Sequence, residues 1–316
     1  MAEMTDNQTR LQPIVAFRAL RRLIADPQQT HEVFTIIRAL SGPALRNGYM
    51  RFASTETGRT VLREKRSLLA TLQTGELAET LDYANGLDID FALGDVTYLP
   101  PVHAPEKIAC IGVNYANRNE EYRDNSDAPK YPSVFMRTID SFTGHDQPLW
   151  RPPESEQLDY EGEIALVIGT PGRRISRADA LDHVAGVSIY NDGSVREFQR
   201  QTSQFTPGKN FAGTGGFGPW MMTPDEIGDL NGMEITTRLN GEVMQNATAD
   251  LLVHGFAELI EYCSTFIELL PGDVIVTGTP GGVGAARNPP VFMDEGDVVE
   301  VEVKPVGVLR HRVVVG

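Results

Sequence analysis

The sequence predicts an α+β, β-rich domain with a small helical appendage at its N-terminus, and three observations carry that reading. From residue 83 onward, short β-rich runs alternate with Gly/Pro turns. Few segments there have helical spacing, and none alternates regularly with strands as a doubly wound sheet requires. Before residue 83 the apolar residues recur at helical spacing instead.

In residues 1–82, Phe17, Leu20, Leu23 and Ile24 mark one helix, and Val33, Ile36, Ile37 and Leu40 a second. Val61, Leu62, Leu68, Leu69 and Leu72 suggest a third, with Pro27 and Ser41-Gly42-Pro43 as punctuation. Packing against the main domain or a second subunit is the expected role of this region. In residues 83–316 the strands expected are Lys107–Val113, Ser133–Arg137, Glu163–Ile168, Val184–Tyr190, Glu234–Leu239, Asp273–Thr277 and Val298–Val303. Helices are expected at Asn117–Tyr122, Arg177–Leu181, Val195–Arg200 and Ala257–Leu270.

The chain of 316 residues is 41% hydrophobic, enough for one large domain with an appendage. No apolar run approaches the roughly 20 residues of a membrane span. The formal net charge of -15 repels phosphates and anionic lipid, which argues against nucleic-acid and membrane partners. Cys110 and Cys263 sit in apolar contexts and read as buried free thiols, with the cytoplasm as the expected compartment. The six histidines show no metal-ligand spacing and read mostly as surface or loop residues.

The chemistry concentrates in acidic residues. In LDYEGEIALVIG, Glu161 and Glu163 stand two apart at the head of an apolar β run, so both point to one face. In GVSIYNDGSVREFQ, Asp192 stands at a strand-to-helix turn. Three carboxylates from two strand ends can converge on a hard cation; all-oxygen ligation suits Mg²⁺, Mn²⁺ or Ca²⁺ and disfavours Zn²⁺. The same spacing also suits solvated edge charges and a helix N-cap. Arg137, after a strand, fits either a substrate carboxylate or a structural salt bridge. GTPGGVG at Gly278–Gly284 lacks a GK[ST] ending, so it reads as a turn offering backbone N–H groups to a substrate carboxylate, not as a nucleotide loop.

These motifs stand in a fixed order with other blocks: GVNYANRNEEY, SVFMRTIDSFTG, GKNFAGTGGFGPW, PGDVIVTGTPGGVG and GDVVEVEV. The ordered set resembles the fumarylacetoacetate hydrolase family over residues 105–316. The resemblance implies a mixed β-roll around a metal site, a homodimer, and a small oxo-acid substrate. It implies that Glu161, Glu163 and Asp192 are ligands to Mg²⁺ or Mn²⁺, with Lys209 beside the metal and Thr279 on the substrate carboxylate. Arg196 and Gln199 would line or support the site. Ser141 and Gly144 would neighbour the substrate, and His145 in the same loop is a weaker candidate.

Two departures from the family pattern bear on the reaction. The family's G-x-N-Y-x-x-H-x-x-E block keeps its acid as Glu121 but has Arg118 in place of the histidine, and arginine cannot act as a general base. The K-x-F-D block reads Lys209-Asn210-Phe211-Ala212, which removes an acceptor near the lysine. The expected activity is metal-dependent hydrolysis of a C–C bond in an acylpyruvate-like 1,3-dioxo or 2-oxo acid, through an enolate, within aromatic or small-acid catabolism. Isomerisation or decarboxylation of a related diacid is the alternative on the same site. A catalytically weakened metal-binding protein with an interaction role is the third reading.

Overall fold

The computed structural model describes residues 68–75, 77–78, 97–116 and 130–316. The first two expected helices, the Asn117–Tyr122 helix, Arg118 and Glu121 lie outside the described residues.

Among the described residues the fold opens with a short helix, α1 (Leu68–Gln73), then β1 (Ile108–Ile111), β2 (Val134–Met136), β3 (Phe142–Thr143), β4 (Leu149–Arg151) and β5 (Leu158–Asp159). The two longest apolar runs follow as β6 (Gly162–Ile168) and β7 (Val184–Asn191), and both are buried along their whole length. Strands covered on both faces need no polar alternation, which is why they read as continuous apolar sequence. Next come β8 (Ser194–Val195), the short helices α2 (Arg196–Gln199) and α3 (Thr206–Lys209), β9 (Gly215–Met222) and α4 (Pro224–Ile227). The chain finishes with β10 (Glu234–Leu239), β11 (Glu242–Thr248), α5 (Phe256–Phe266), β12 (Val274–Val276), β13 (Val298–Lys304) and β14 (Gly307–Val315).

A seven-stranded mixed sheet runs β2-β1-β12-β6-β7-β9-β3, and a five-stranded sheet runs β11-β10-β13-β14-β4. β5 and β8 form a separate pair. The parity of β6 organises the interior. Ile164, Leu166 and Ile168 join Ile235, Val301, Val303 and Leu309 of the five-stranded sheet in one apolar cluster. Ala165 and Val167 face the other way, into a second cluster with Cys110, Phe135, Tyr190, Phe217, and Leu68 and Leu72 of α1. The odd-numbered face of β6 is also the face of Glu163. With Glu161, it lies at the strand's entry end, on the side that α1 helps to cover.

Several sequence expectations change. Arg177–Leu181 is not an α-helix; the chain makes turns there and a 3-10 turn at Ala180–His183. α5 stops at Phe266 instead of Leu270. Its buried face, Phe256, Leu259, Ile260 and Cys263, has helical spacing, but Leu269 is buried through an extended bridge to Gly172. β3, β4, β5, β8, β9, β11 and β14 are additional strands. His254 and His311 are buried, at 5% and 1% exposure, instead of lying at the surface. Cys110 and Cys263 are buried free thiols.

Candidate metal centre

The three carboxylates are delivered by the β6–β7 pairing. Gly162 stands opposite Asn191 and Glu163 opposite Tyr190. The register continues past the strand end: Asp192 N–H donates to Glu161 O at 2.8 Å, and Glu161 N–H donates to Asn191 Oδ1 at 3.0 Å. The Glu161 backbone is therefore pinned twice, once by the Asp192 main chain and once by the Asn191 side chain. Glu161, Glu163 and Asp192 are buried at 6%, 1% and 0% exposure, and one oxygen from each lies within 4.8 Å of the others.

Buried carboxylates need compensation. Lys209 Nζ lies 2.7 Å from Glu161 Oε2 and 2.6 Å from Asp192 Oδ2. Burial works against its ammonium, but Asp192 and Glu161 outweigh that and hold its pKa above the ordinary value. Arg137 spends all five N–H donors: Nη1 on Asp192 Oδ1 (2.6 Å) and Gly193 O (3.1 Å), Nη2 on Ser141 O (2.9 Å) and Thr214 Oγ1 (3.1 Å), Nε on Ser141 Oγ (3.0 Å). Arg196 reaches Glu161 Oε1 at 2.6 Å, Asp159 Oδ2 at 2.8 Å and Gln199 Oε1 at 2.7 Å.

Glu163 is the exception. Among the described residues it has no cationic partner within salt-bridge distance, and it accepts one hydrogen bond, from Gly278 N–H at 2.5 Å. Burial, reinforced by Asp192 and Glu161, pushes its carboxyl well above the usual range. Counted as ionised, the four acids Asp159, Glu161, Glu163 and Asp192 face three cations, Lys209, Arg137 and Arg196, and among the described residues the acid left without a cation at salt-bridge distance is Glu163. An all-oxygen, acid-rich donor set with one uncompensated carboxylate fits a hard divalent cation.

The other expected site residues sort into supports. For Arg137, the salt bridge to Asp192 is what the structure holds, and no donor is spare for a substrate carboxylate. Ser141 is buried, accepts from Arg137 and donates to Thr138 O at 2.7 Å. Gly144 is tight against the Tyr98–Leu99 backbone, where a Cβ would meet Tyr98 O at 2.6 Å, so its role is packing. Thr279 donates to Gly162 O at 2.9 Å and accepts from Gln245 Nε2 at 2.8 Å. Two amide groups of the Gly278–Gly284 turn expected to meet substrate are spent on protein carboxylates, Gly278 on Glu163 and Gly284 on Asp159, and the next amide, Ala285, also serves Asp159. His145 lies edge-on to Tyr98, and its Nδ1 accepts from Arg310 N–H at 3.0 Å.

Asp159 is the residue sequence reasoning passed over. Its signal was present: Asp159, Glu161 and Glu163 stand at i, i+2 and i+4 in D-Y-E-G-E, one parity along the chain.

Residues 107–314 match the family model described as Fumarylacetoacetate (FAA) hydrolase C-terminal. The chain is 41% identical over 222 residues to a Bos taurus protein named oxaloacetate tautomerase FAHD2A, mitochondrial, an overlap spanning 70% of each chain. It is 38% identical over 225 residues to oxaloacetate tautomerase YisK of Bacillus subtilis (strain 168), covering 71% of this chain and 75% of the relative. Among solved structures, 5-carboxymethyl-2-hydroxymuconate delta-isomerase from Mycobacterium smegmatis superposes with a TM-score of 0.63 at 35% identity, over 72% of this chain and 85% of that one.

Proposed function

This chain belongs to the fumarylacetoacetate hydrolase family, and from that premise we propose that it is a metal-supported tautomerase of a small 2-oxo diacid, with oxaloacetate the first substrate to test. The observation that carries this reading is the buried triad beside a protonated lysine, in a chain whose relatives in two kingdoms are named oxaloacetate tautomerases.

Keto–enol exchange moves one proton between a carbon and an oxygen and breaks no C–C bond. Mg²⁺ or Mn²⁺ held by Glu161, Glu163 and Asp192 would supply Lewis-acid stabilisation of the enolate oxygen. Lys209, kept protonated by Asp192 and Glu161 and with its three N–H groups directed at those two residues, acts as a fixed positive charge near that oxygen, not as a base. Arg137 and Arg196 hold Asp192 and Glu161 in place, so the acidic oxygens need little reorganisation when charge develops. Glu121 is the proposed proton acceptor at carbon, with Arg118 offering a grip on the second carboxylate of a diacid.

C–C hydrolysis, first in the sequence reading, gives way to its alternative. Hydrolysis needs a base that activates water, and the histidine position holds Arg118. Tautomerisation has no such requirement. Isomerisation of a 2-hydroxydienoate diacid is a second reading, favoured by the likeness to the muconate isomerase structure. A homodimer in the cytoplasm belongs to the same proposal, and sedimentation of the full chain reads its assembly.

The test follows decay of enol-oxaloacetate absorbance with wild type and Glu163→Ala, in EDTA and after return of Mg²⁺ or Mn²⁺. Metal-dependent acceleration lost in Glu163→Ala supports the proposal. Carboxylic acid release from an acylpyruvate panel without tautomerase activity restores hydrolysis. Metal binding with no turnover of any of these leaves the weakened-enzyme reading.

A further inference from the structure

Asp159 is fully buried, yet it is not part of the triad. Its oxygens are engaged elsewhere. Oδ1 accepts Gly284 N–H at 2.8 Å; Oδ2 accepts Ala285 N–H at 2.9 Å and Arg196 Nε at 2.8 Å. Arg196 then reaches Glu161 Oε1 at 2.6 Å. The contact with the loop is close: a Cβ on Gly284 would meet Asp159 Oδ1 at 2.7 Å, and Val291 O nearer still. At the loop's other end, Gly278 N–H sits on Glu163. The 278–285 loop is therefore strapped at both ends to one row of alternate carboxylates, directly at Glu163 and through Asp159 and Arg196 at Glu161.

A charge shared in this way cannot be changed locally. Arg196 divides its guanidinium between Asp159 and Glu161, and a divalent cation on Glu161 competes for that same carboxylate. Drawing Glu161 toward a metal shifts Arg196 onto Asp159, which strengthens the acceptor for the Gly284 and Ala285 amides. We propose that Asp159 is a positioning residue that couples metal binding at Glu161 to the ordering of the 278–285 loop. The proposal rests on the metal-site reading above and does not depend on which 2-oxo acid is the substrate.

The test is hydrogen–deuterium exchange of the peptide spanning residues 278–287, with and without Mg²⁺, beside calorimetric titration of Mg²⁺. Asp159→Asn keeps the volume and removes the shared charge. Ala285→Pro keeps every charge and removes one donor to Asp159, and it carries the test if Asp159→Asn does not fold. In wild type, Mg²⁺ slows exchange across 278–287. In either variant that slowing is lost, and the Mg²⁺ dissociation constant rises by about 10-fold, the low end of the range for partners of metal ligands. Saturating Mg²⁺ restores part of the tautomerase rate in Asp159→Asn but not the protection of 278–287, whereas in a merely destabilised fold it would restore both.

Wild-type exchange that ignores Mg²⁺, or a folded variant with unchanged affinity and unchanged metal-linked protection, overturns the coupling. A wild type that binds no Mg²⁺ sinks the metal reading and the coupling with it. A wild type that binds Mg²⁺ but leaves oxaloacetate untouched sinks the tautomerase reading alone, because exchange and calorimetry do not need turnover.

Discussion

Lys209 and Asp192 are joined twice: Nζ lies 2.6 Å from Oδ2 and 3.2 Å from the main-chain oxygen of the same residue. With Glu161 Oε2 at 2.7 Å, the ammonium occupies space between two carboxylates of the triad, as a small cation would.

Lys209→Met should therefore cost more stability without metal than with it. Removing one partner of a buried ion pair strands the other, at a cost of about 3–5 kcal/mol. Metal-free Lys209→Met should melt well below wild type, and added Mg²⁺ should raise its melting temperature by more than it raises wild type's. Turnover should stay about 100-fold or more below wild type even at saturating metal, the usual loss when a fixed group that stabilises transition-state charge is removed. Equal metal-induced shifts in the two proteins would show that Lys209 does not substitute for a cation here.

Glu163→Gln should trade function for stability. The Glu163 carboxyl titrates above its ordinary value in the fold, chiefly through burial. Such a group binds protons more tightly folded than unfolded, so it withdraws stability as pH rises from the ordinary carboxyl value toward the raised one. At pH 7 without metal, the amide should melt no lower than wild type. Its Mg²⁺ affinity and tautomerase rate should both collapse. A metal-free variant less stable than wild type would contradict this account of the uncompensated charge.

Arg137→Lys should weaken the site without touching substrate. Lysine has three donors and no planar fork, so it cannot serve Asp192, Gly193, Ser141 and Thr214 together. The expected loss is about 10- to 100-fold in Mn²⁺ affinity by calorimetry. A changed Michaelis constant with unchanged Mn²⁺ affinity would instead assign Arg137 to the substrate.

His311, which is not a member of the triad, predicts a pH dependence of stability of its own. Its Nδ1 lies 3.0 Å from Gln147 O; a carbonyl only accepts, so Nδ1 carries the proton and the buried Nε2 is bare. Burial depresses its pKa to about 4. The unfolded chain therefore takes up this proton first, and the stability that depends on a neutral ring is whole above about 6.5 and lost as pH falls toward 4. The loss reaches about 3 kcal/mol at the acid end. His311→Asn, whose amide can still donate to Gln147 O, should show a flatter melting temperature between those limits. Parallel curves for the two proteins would remove His311 as the cause.

Much of this was readable in the chain. β6, β7, β10 and β13 announce themselves because their β-rich runs are uninterrupted, and the D-Y-E-G-E row shows its carboxylates by parity. β9 was hidden because GGFGPWMM is rich in residues that weaken a strand on its own; only pairing with β7 and β3 makes it one. The apparent helix through Leu270 failed because Leu269 is equally apolar in a helix or an extended bridge. The division of arginines between substrate and scaffold was invisible for another reason. Arg137 and Asp192 are 55 positions apart, and no local pattern says that their side chains meet.

The two-residue repeat of β6 also limits how this gene can change length. One residue gained or lost directly after Glu163 would turn Ile164, Leu166 and Ile168 away from the five-stranded sheet relative to the acids, and one further along would turn those beyond it. Insertions and deletions there are tolerable only in pairs. Length variation among related chains should therefore gather in stretches such as 170–183, where the backbone turns and most side chains face water, and the acidic row should pass through sequence divergence with its count intact.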